Sequence, residues 1–185
     1  GRTVDDFLYM DNAVIEAIKT RRSIRRYRQE QITDEELETV LDAGTFAPTG
    51  HNRQDPCIVA VQNPGFRSRL VKMNAEILGT DSDPYYGAPT IVLVFAPLPE
   101  LNGNAVQDGS LVLGTMMLAA HSIGLASCWI NREREMFSAP EGQRLMAEMG
   151  VPEGYMGVGA LSLGYPSVPN PKALPRKENY YRVIK

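Results

Sequence analysis

From about Val106 to Ile123 the sequence is apolar nearly all round, through Leu111, Val112, Leu113, Met116, Met117, Leu118, Ala119 and Ala120. A helix of that composition has to be covered on every face. Gly109, Gly114 and the Ala119–Ala120 pair keep it thin, so that neighbours can approach closely. Whatever this chain folds into must be wrapped around that segment. In 185 residues the cover comes either from a monomeric core or, in part, from a second subunit.

The rest of the pattern supplies the layers. Asp11 is placed to cap a first helix running to about Arg21, with Val14, Ile15 and Ile18 on one face. Thr33-Asp34-Glu35-Glu36 reads as a capping box, followed at helical spacing by Leu37, Val40, Leu41 and Gly44. Asn63-Pro64 opens another helix, in which Phe66, Leu70, Met73 and Ile77 share a face. Ser138-Ala139-Pro140-Glu141 reads as a second capping box, for a helix that Gly150 closes.

Strands are predicted over Cys57–Gln62, Thr90–Phe95, Ala126–Ile130 and Met156–Leu163, and loops at Pro48–Asn52 and Asp81–Pro84. Helices interleaved with strands, without repeats or linkers, predict one α+β domain over residues 1–185. From Tyr165 onward, four prolines between Pro166 and Pro175 follow no period. Such a tail builds no core of its own and must lie along a surface or wander.

A net charge of −3 argues against non-specific nucleic-acid binding, which needs a basic face. Against that balance, Arg21-Arg22-Ser23-Ile24-Arg25-Arg26-Tyr27 packs four guanidiniums into six residues. They repel one another unless an anion sits among them, and Arg is shaped to fork onto phosphate oxygens, with a serine hydroxyl adding a donor. The other reading is a solvated helix end whose cations complement the dipole.

Self-contained catalytic sets are missing. His51 and His121 are the only histidines, and His121, inside the apolar helix, is expected to be a core residue. No nucleophile elbow, zincin motif or Walker loop occurs. The glycines of Gly157-Val158-Gly159-Ala160-Leu161-Ser162-Leu163-Gly164 have the wrong spacing for a dinucleotide fingerprint and lie within a strand. Cys57 and Cys128 sit in apolar runs without zinc-ligand partners, as buried reduced thiols do. No apolar run reaches the ~18–20 residues of a membrane span and no signal peptide is recognisable, so a cytoplasmic protein is expected. What remains is a binder, or an enzyme whose cofactor carries the chemistry.

A second polar stretch is Ala47-Pro48-Thr49-Gly50-His51-Asn52-Arg53-Gln54. It is either an ordinary polar turn or one whose glycine lets backbone approach a flat ligand, with Asn52 and Gln54 offering paired donors and acceptors to a heterocycle.

Five motifs then occur in order: Arg21-Arg22-Ser23-Ile24-Arg25; Ala47-Pro48-Thr49-Gly50 with Asn52 and Gln54; Gly87-Ala88-Pro89; Gly124-Leu125-Ala126-Ser127-Cys128-Trp129-Ile130; and Leu163-Gly164-Tyr165-Pro166. Together they resemble the FMN-dependent nitroreductase family over nearly the whole chain from about Ala13. The resemblance implies a central, mostly antiparallel sheet of about four to five strands flanked by helices, with a C-terminal arm exchanged in a homodimer. It implies that Arg21, Ser23 and Arg25 hold the FMN phosphate and ribityl chain, with Arg22 near the pyrimidine edge of the ring. Pro48, Thr49 and Gly50 would pack on the flavin from the partner subunit, while Asn52 and Gln54 serve the loop and ribityl region. Asn131 and Arg132 match the place whose backbone N–H points at flavin N5, and Arg176 and Lys177 match a basic pair that returns to the phosphate.

The implied activity is hydride transfer from NADH or NADPH to FMN at the subunit interface, then reduction of nitroaromatics, quinones or similar acceptors by a ping-pong mechanism. Other outcomes on the same fold are dehalogenation, dehydrogenation or flavin breakdown, or an FMN carrier or sensor without turnover. The chain departs from the family pattern in two places: Asp55 separates Gln54 from Pro56, with no Trp following, and Asn131 stands where an acidic residue or Gly is usual. The chain is also short, leaving the flavin face open or lidded by Thr80 to Tyr86.

Overall fold

The structure is a computed structural model, and it describes residues 9–185. In chain order the elements are α1 (Ala13–Thr20), α2 (Asp34–Gly44), a single 3-10 turn (Gly50–Asn52), β1 (Cys57–Val61), α3 (Pro64–Leu78), β2 (Thr90–Pro97), α4 (Ala105–Ser122), β3 (Ala126–Ile130), α5 (Glu133–Ser138), α6 (Pro140–Glu148) and β4 (Tyr155–Gly164). The strands form one antiparallel sheet in the order β1-β2-β4-β3. This is the α+β architecture expected, with four strands among the described residues.

β2 is central, and every one of its residues is buried. Because side chains alternate across a strand, its apolar run feeds two cores at once. Ile91, Leu93 and Phe95 pack with Leu70 and Met73 of α3, Met136 and Phe137 of α5, and Leu145 of α6. Val92 and Val94 face the other way, onto Leu37 and Val40 of α2 and Val112, Leu113 and Met116 of α4. The result is three layers, with α2 and α4 on one side of the sheet and α3, α5 and α6 on the other. α4 lies close to the sheet because Gly109 is bare there: a Cβ would come within 2.8 Å of Val158.

The capping box at α2 forms as expected, with Thr33 Oγ1 accepting from the Glu36 N–H and the Glu36 carboxylate from the Thr33 N–H. Asn63 caps α3 with Pro64 in its first turn, and Leu70 and Met73 are buried, although Ile77 is exposed.

Several expectations are corrected. The cap of α1 is Asn12, not Asp11: Asn12 Oδ1 accepts from the Ile15 N–H at 2.9 Å. At α6 no capping box forms. Ala139 occupies the cap position, and the Ser138 hydroxyl donates back to the carbonyls of Arg134 and Glu135. That geometry follows from α5, a six-residue helix absent from the sequence reading, whose last residue is Ser138.

α4 is not buried on every face within one chain. Val112, Leu113 and Met116 are buried, but Val106 and Leu111 stay 54% and 48% exposed. α1 buries no residue at all, leaving Val14 and Ile18 in the open. The tail beyond Tyr165 carries no helix or strand, and every residue from Pro169 on is exposed. It is tied down at its start, where Asn170 Nδ2 donates to the Thr20 carbonyl at 2.9 Å. Among the described residues no helix is long and apolar enough to cross a membrane.

Candidate functional site

The cationic knot begins where α1 stops. The Arg21 N–H closes the last turn on the Ala17 carbonyl, and the backbone then swings into an extended conformation. Ile24, 5% exposed, anchors the strip, and its N–H donates to the Ser127 carbonyl at 3.1 Å. Ser23 and Ser127 form an isolated parallel bridge, so the knot is laid along the outer edge of β3.

Arg21 and Arg22 are half-buried there. With His121, Gly124, Ser127 and Asn170 they line a cleft of 190 Å³. Arg21 Nη1 and Arg22 Nε are buried without a hydrogen-bond partner among the described residues. A buried polar donor left unpaired costs roughly 1–3 kcal/mol, more when charged. Two such donors in one cleft call for an anionic acceptor.

His121 is not the core residue expected. The last turn of α4 brings it to this cleft, with Nε2 2.7 Å from Thr20 Oγ1. Burial, and then the neighbouring Arg21 and Arg22, hold its pKa below the usual imidazole range. Arg25 is exposed, its guanidinium 5.9 Å from the centre of the Tyr86 ring. That places the Thr80–Tyr86 segment beside the knot, held by the Arg67–Asp83 ion pair at 2.6 Å and by Tyr85, which is wholly buried.

Arg176 also comes near. It lines a broader groove of 970 Å³ with Arg21, Arg22 and Lys19, its guanidinium curled onto the Leu174 carbonyl. Lys177 lies further along the tail, beside Tyr180 and Tyr181.

The Pro48-Thr49-Gly50 loop is elsewhere. The Gly50 N–H donates to Asp108 Oδ1 at 3.0 Å, which fastens the loop to the start of α4. A Cβ on Gly50 would lie 2.7 Å from Asn104 Nδ2, so the loop packs closely on the residue that precedes α4. His51, Asn52 and Gln54 take left-handed φ values of 55°, 53° and 54°. The Gln54 side chain donates to Asn52 Oδ1 at 3.0 Å, so the two amides pair with each other. Asp108 and His121 mark the two ends of α4, and at 1.5 Å per residue they are about 20 Å apart. One chain therefore brings Arg21, Arg22, Ser23 and Arg176 together, and holds Pro48, Thr49, Gly50, Asn52 and Gln54 at the far end of the same helix.

Asn131 and Arg132 follow β3, and Arg132 has a left-handed φ of 86°, uncommon for a non-glycine residue. Its restraint is a buried network of three residues missed from the sequence. Asn74, fully buried on α3, accepts from Arg132 Nε at 2.6 Å and donates to the Asn131 carbonyl at 3.0 Å. Tyr85, beside it, donates its hydroxyl to Glu133 Oε2 at 2.8 Å. The Asn74 amide reaches the Tyr85 hydroxyl at 3.1 Å.

Glu133 is 1% exposed, and its Oε1 has no hydrogen-bond partner among the described residues. Burial pushes its pKa up to about 8, against the lowering effect of the Tyr85 hydrogen bond. Burial, and then the Glu133 charge, raise the Tyr85 phenol well above its ordinary value. One signal for this network was present: Asn74 falls on the buried face of α3 that Leu70 and Met73 define, where a polar side chain needs partners.

Comparison with known proteins identifies the family and the fold. The family model described as Nitroreductase family matches residues 18–81 and 80–165. An NADPH-flavin oxidoreductase of Vibrio harveyi is 31% identical over 174 residues, covering 89% of this chain and 70% of its own. A crystal structure of a nitroreductase with bound FMN from Bacteroides fragilis superposes with a TM-score of 0.86 at 30% identity, covering 95% of this chain and 100% of that one. A second FMN-bound nitroreductase, from Desulfitobacterium hafniense, gives a TM-score of 0.84 at 26% identity, covering 95% of this chain and 100% of that one.

Proposed function

The chain belongs to the nitroreductase family, and from that premise we propose that it is a single-domain, FMN-dependent oxidoreductase working as a homodimer. FMN bound there would take hydride from NADH or NADPH and pass the electrons to nitroaromatic, quinone or similar acceptors. The observation that carries this reading is the pair of buried, unpartnered guanidinium nitrogens on Arg21 and Arg22, in a cleft that a phosphate would complete.

Each named residue has a task. Arg21, Ser23 and Arg25 would hold the phosphate and the ribityl chain, and Arg22, its Nε turned into the same cleft, would reach from there toward the pyrimidine edge of the ring. Arg176 and Lys177 close over the anion from the tail. Pro48, Thr49 and Gly50 cover the ring, and Asn52 and Gln54 line the ribityl region from the partner subunit. The Arg132 N–H supplies one backbone donor. No side chain is asked to move a proton.

The dimer is supported by the distance between the two half-sites along α4, which one chain cannot close. It is supported also by the apolar surface that one chain leaves bare, Val106 and Leu111 on α4 and Val14 and Ile18 on α1. The tail, with Leu174, Tyr180, Tyr181, Val183 and Ile184 exposed, is suited to lie on a second copy. A cytoplasmic location fits the two free cysteines, Cys57 and Cys128.

The test is the visible spectrum of the purified protein, followed by addition of NADH or NADPH with and without a quinone. A flavin spectrum that bleaches with the nicotinamide and recovers with the quinone is expected. A yellow protein that oxidises neither nicotinamide would be a carrier or sensor, and one that cannot retain added FMN would sink the proposal.

A further inference from the structure

We propose that Asn74, Tyr85 and Glu133 form a positioning set that locks the peptide between Asn131 and Arg132 with its N–H turned out of the protein. The planarity of the peptide carries the argument. The chain contains no cis peptide among the described residues, and in a trans peptide the C=O and N–H point in opposite directions. The Asn131 carbonyl points inward, onto the Asn74 amide at 3.0 Å. The Arg132 N–H on the same plane is therefore aimed outward. A carbonyl that accepts a hydrogen bond also polarises its peptide, so this N–H is a stronger donor than an isolated one.

Asn74 could not hold that peptide by itself, because a primary amide can rotate to exchange its oxygen and nitrogen. Two bonds fix its sense. Arg132 Nε, which can only donate, lies 2.6 Å from Oδ1. The Tyr85 hydroxyl spends its proton on Glu133 Oε2 and so can only accept from Asn74 Nδ2. Glu133 thus sets the direction of the Tyr85 bond, Tyr85 sets Asn74, and Asn74 sets the peptide. Tyr85 is itself anchored, its backbone carbonyl accepting from Ser162 Oγ of β4 at 2.8 Å. Three elements and a loop converge on one peptide whose left-handed residue would otherwise relax.

This role rests on the reading above only in its purpose, which is to hold the Arg132 N–H ready for flavin N5; the locking itself does not depend on flavin. Hydrogen exchange of the segment 130–134 in the FMN-loaded protein, followed by mass spectrometry, measures it. Emission from Trp129, the sole tryptophan, provides a second readout, because its Nε1 donates to Asn131 Oδ1 at 2.7 Å. Asn74→Ala should speed exchange about tenfold or more and shift the emission. Tyr85→Phe, a milder change that removes one hydroxyl, should act in the same direction. Glu133→Gln keeps an uncharged acceptor for Tyr85 and should stay near the parent.

Parent-like exchange and emission in folded Asn74→Ala and Tyr85→Phe would overturn the proposal. Stopped-flow reduction by NADPH separates it from the flavin reading. Faster exchange with slower reduction supports both, and faster exchange with unchanged reduction sustains the positioning set while removing only the N5 assignment.

Discussion

The backbone N–H of Gly50 donates to Asp108 Oδ1 at 3.0 Å, so the loop from Pro48 to Gln54 belongs to the first turns of α4, while the Arg21–Arg22 cleft belongs to its last. In the homodimer we propose, these two groups of residues, held about 20 Å apart by one helix, would meet across the subunit interface.

Mixed dimers test this directly. Arg21→Ala and Gly50→Val should each strip FMN from their own homodimers. Unfolded and refolded together, they should recover flavin to about one site per mixed dimer, because one of its two sites then contains an unaltered Arg21 and an unaltered Gly50. Absorbance of the desalted mixture checks it. No recovery would place both groups in the site of a single chain.

Arg21→Ala removes one of the two buried donors that lack a partner. A hydrogen bond to a charged group is worth about 1.5–3 kcal/mol, so FMN affinity should fall at least about tenfold. Riboflavin, which lacks the phosphate, should lose much less. Fluorescence titration of the two ligands supplies the comparison, and equal losses would remove Arg21 from the phosphate.

Thr33→Ala should cost about 1 kcal/mol of stability by opening the capping box of α2. In a chain of this size that lowers Tm by roughly 2–4 °C. FMN affinity should not change, since α2 packs on the sheet away from the cleft. Thermal melts and a flavin titration give both numbers.

Glu133 makes stability depend on pH with a definite sign. Its folded value is raised from 4.5 to about 8 by burial. A group raised on folding contributes stability that is full below its unfolded value and lost as pH climbs through its folded one. Tm should therefore fall between about pH 4.5 and pH 8, by the equivalent of about 5 kcal/mol at most. Tyr85 faces the carboxyl from its loop and Asn74 from α3, while Arg132 and Glu135 are the charged groups nearest along its own segment. Glu133→Gln should flatten this slope; melts of both proteins across the range decide it.

Local chemistry in the sequence translated faithfully where the partners are neighbours. Thr33 and Glu36 are three residues apart, and their box formed; Ile91 to Phe95 is an unbroken apolar run, and it became an inner strand. Ser138 misled because the same four residues serve two helices: Pro140 starts α6 from Ala139, and Ser138 is already spent on α5. His121 misled because composition describes the whole of α4, whereas its last turn emerges at the cleft. The Asn74–Tyr85–Glu133 network spans three elements that no periodicity links, and only the buried position of Asn74 hinted at it. The two clusters of candidate residues were legible as clusters. Their separation was not, since that depends on where each meets α4.

α4 thus acts as a ruler, and rulers tolerate no change of scale. One residue inserted between Gly109 and Ala120 would turn everything beyond it by about 100° and push it 1.5 Å along the axis. Gly109 would stay against Val158, but His121 would leave Thr20, and the covered and bare sides of the helix would no longer line up from end to end. The eighteen residues from Ala105 to Ser122 are where an insertion or deletion should be rarest.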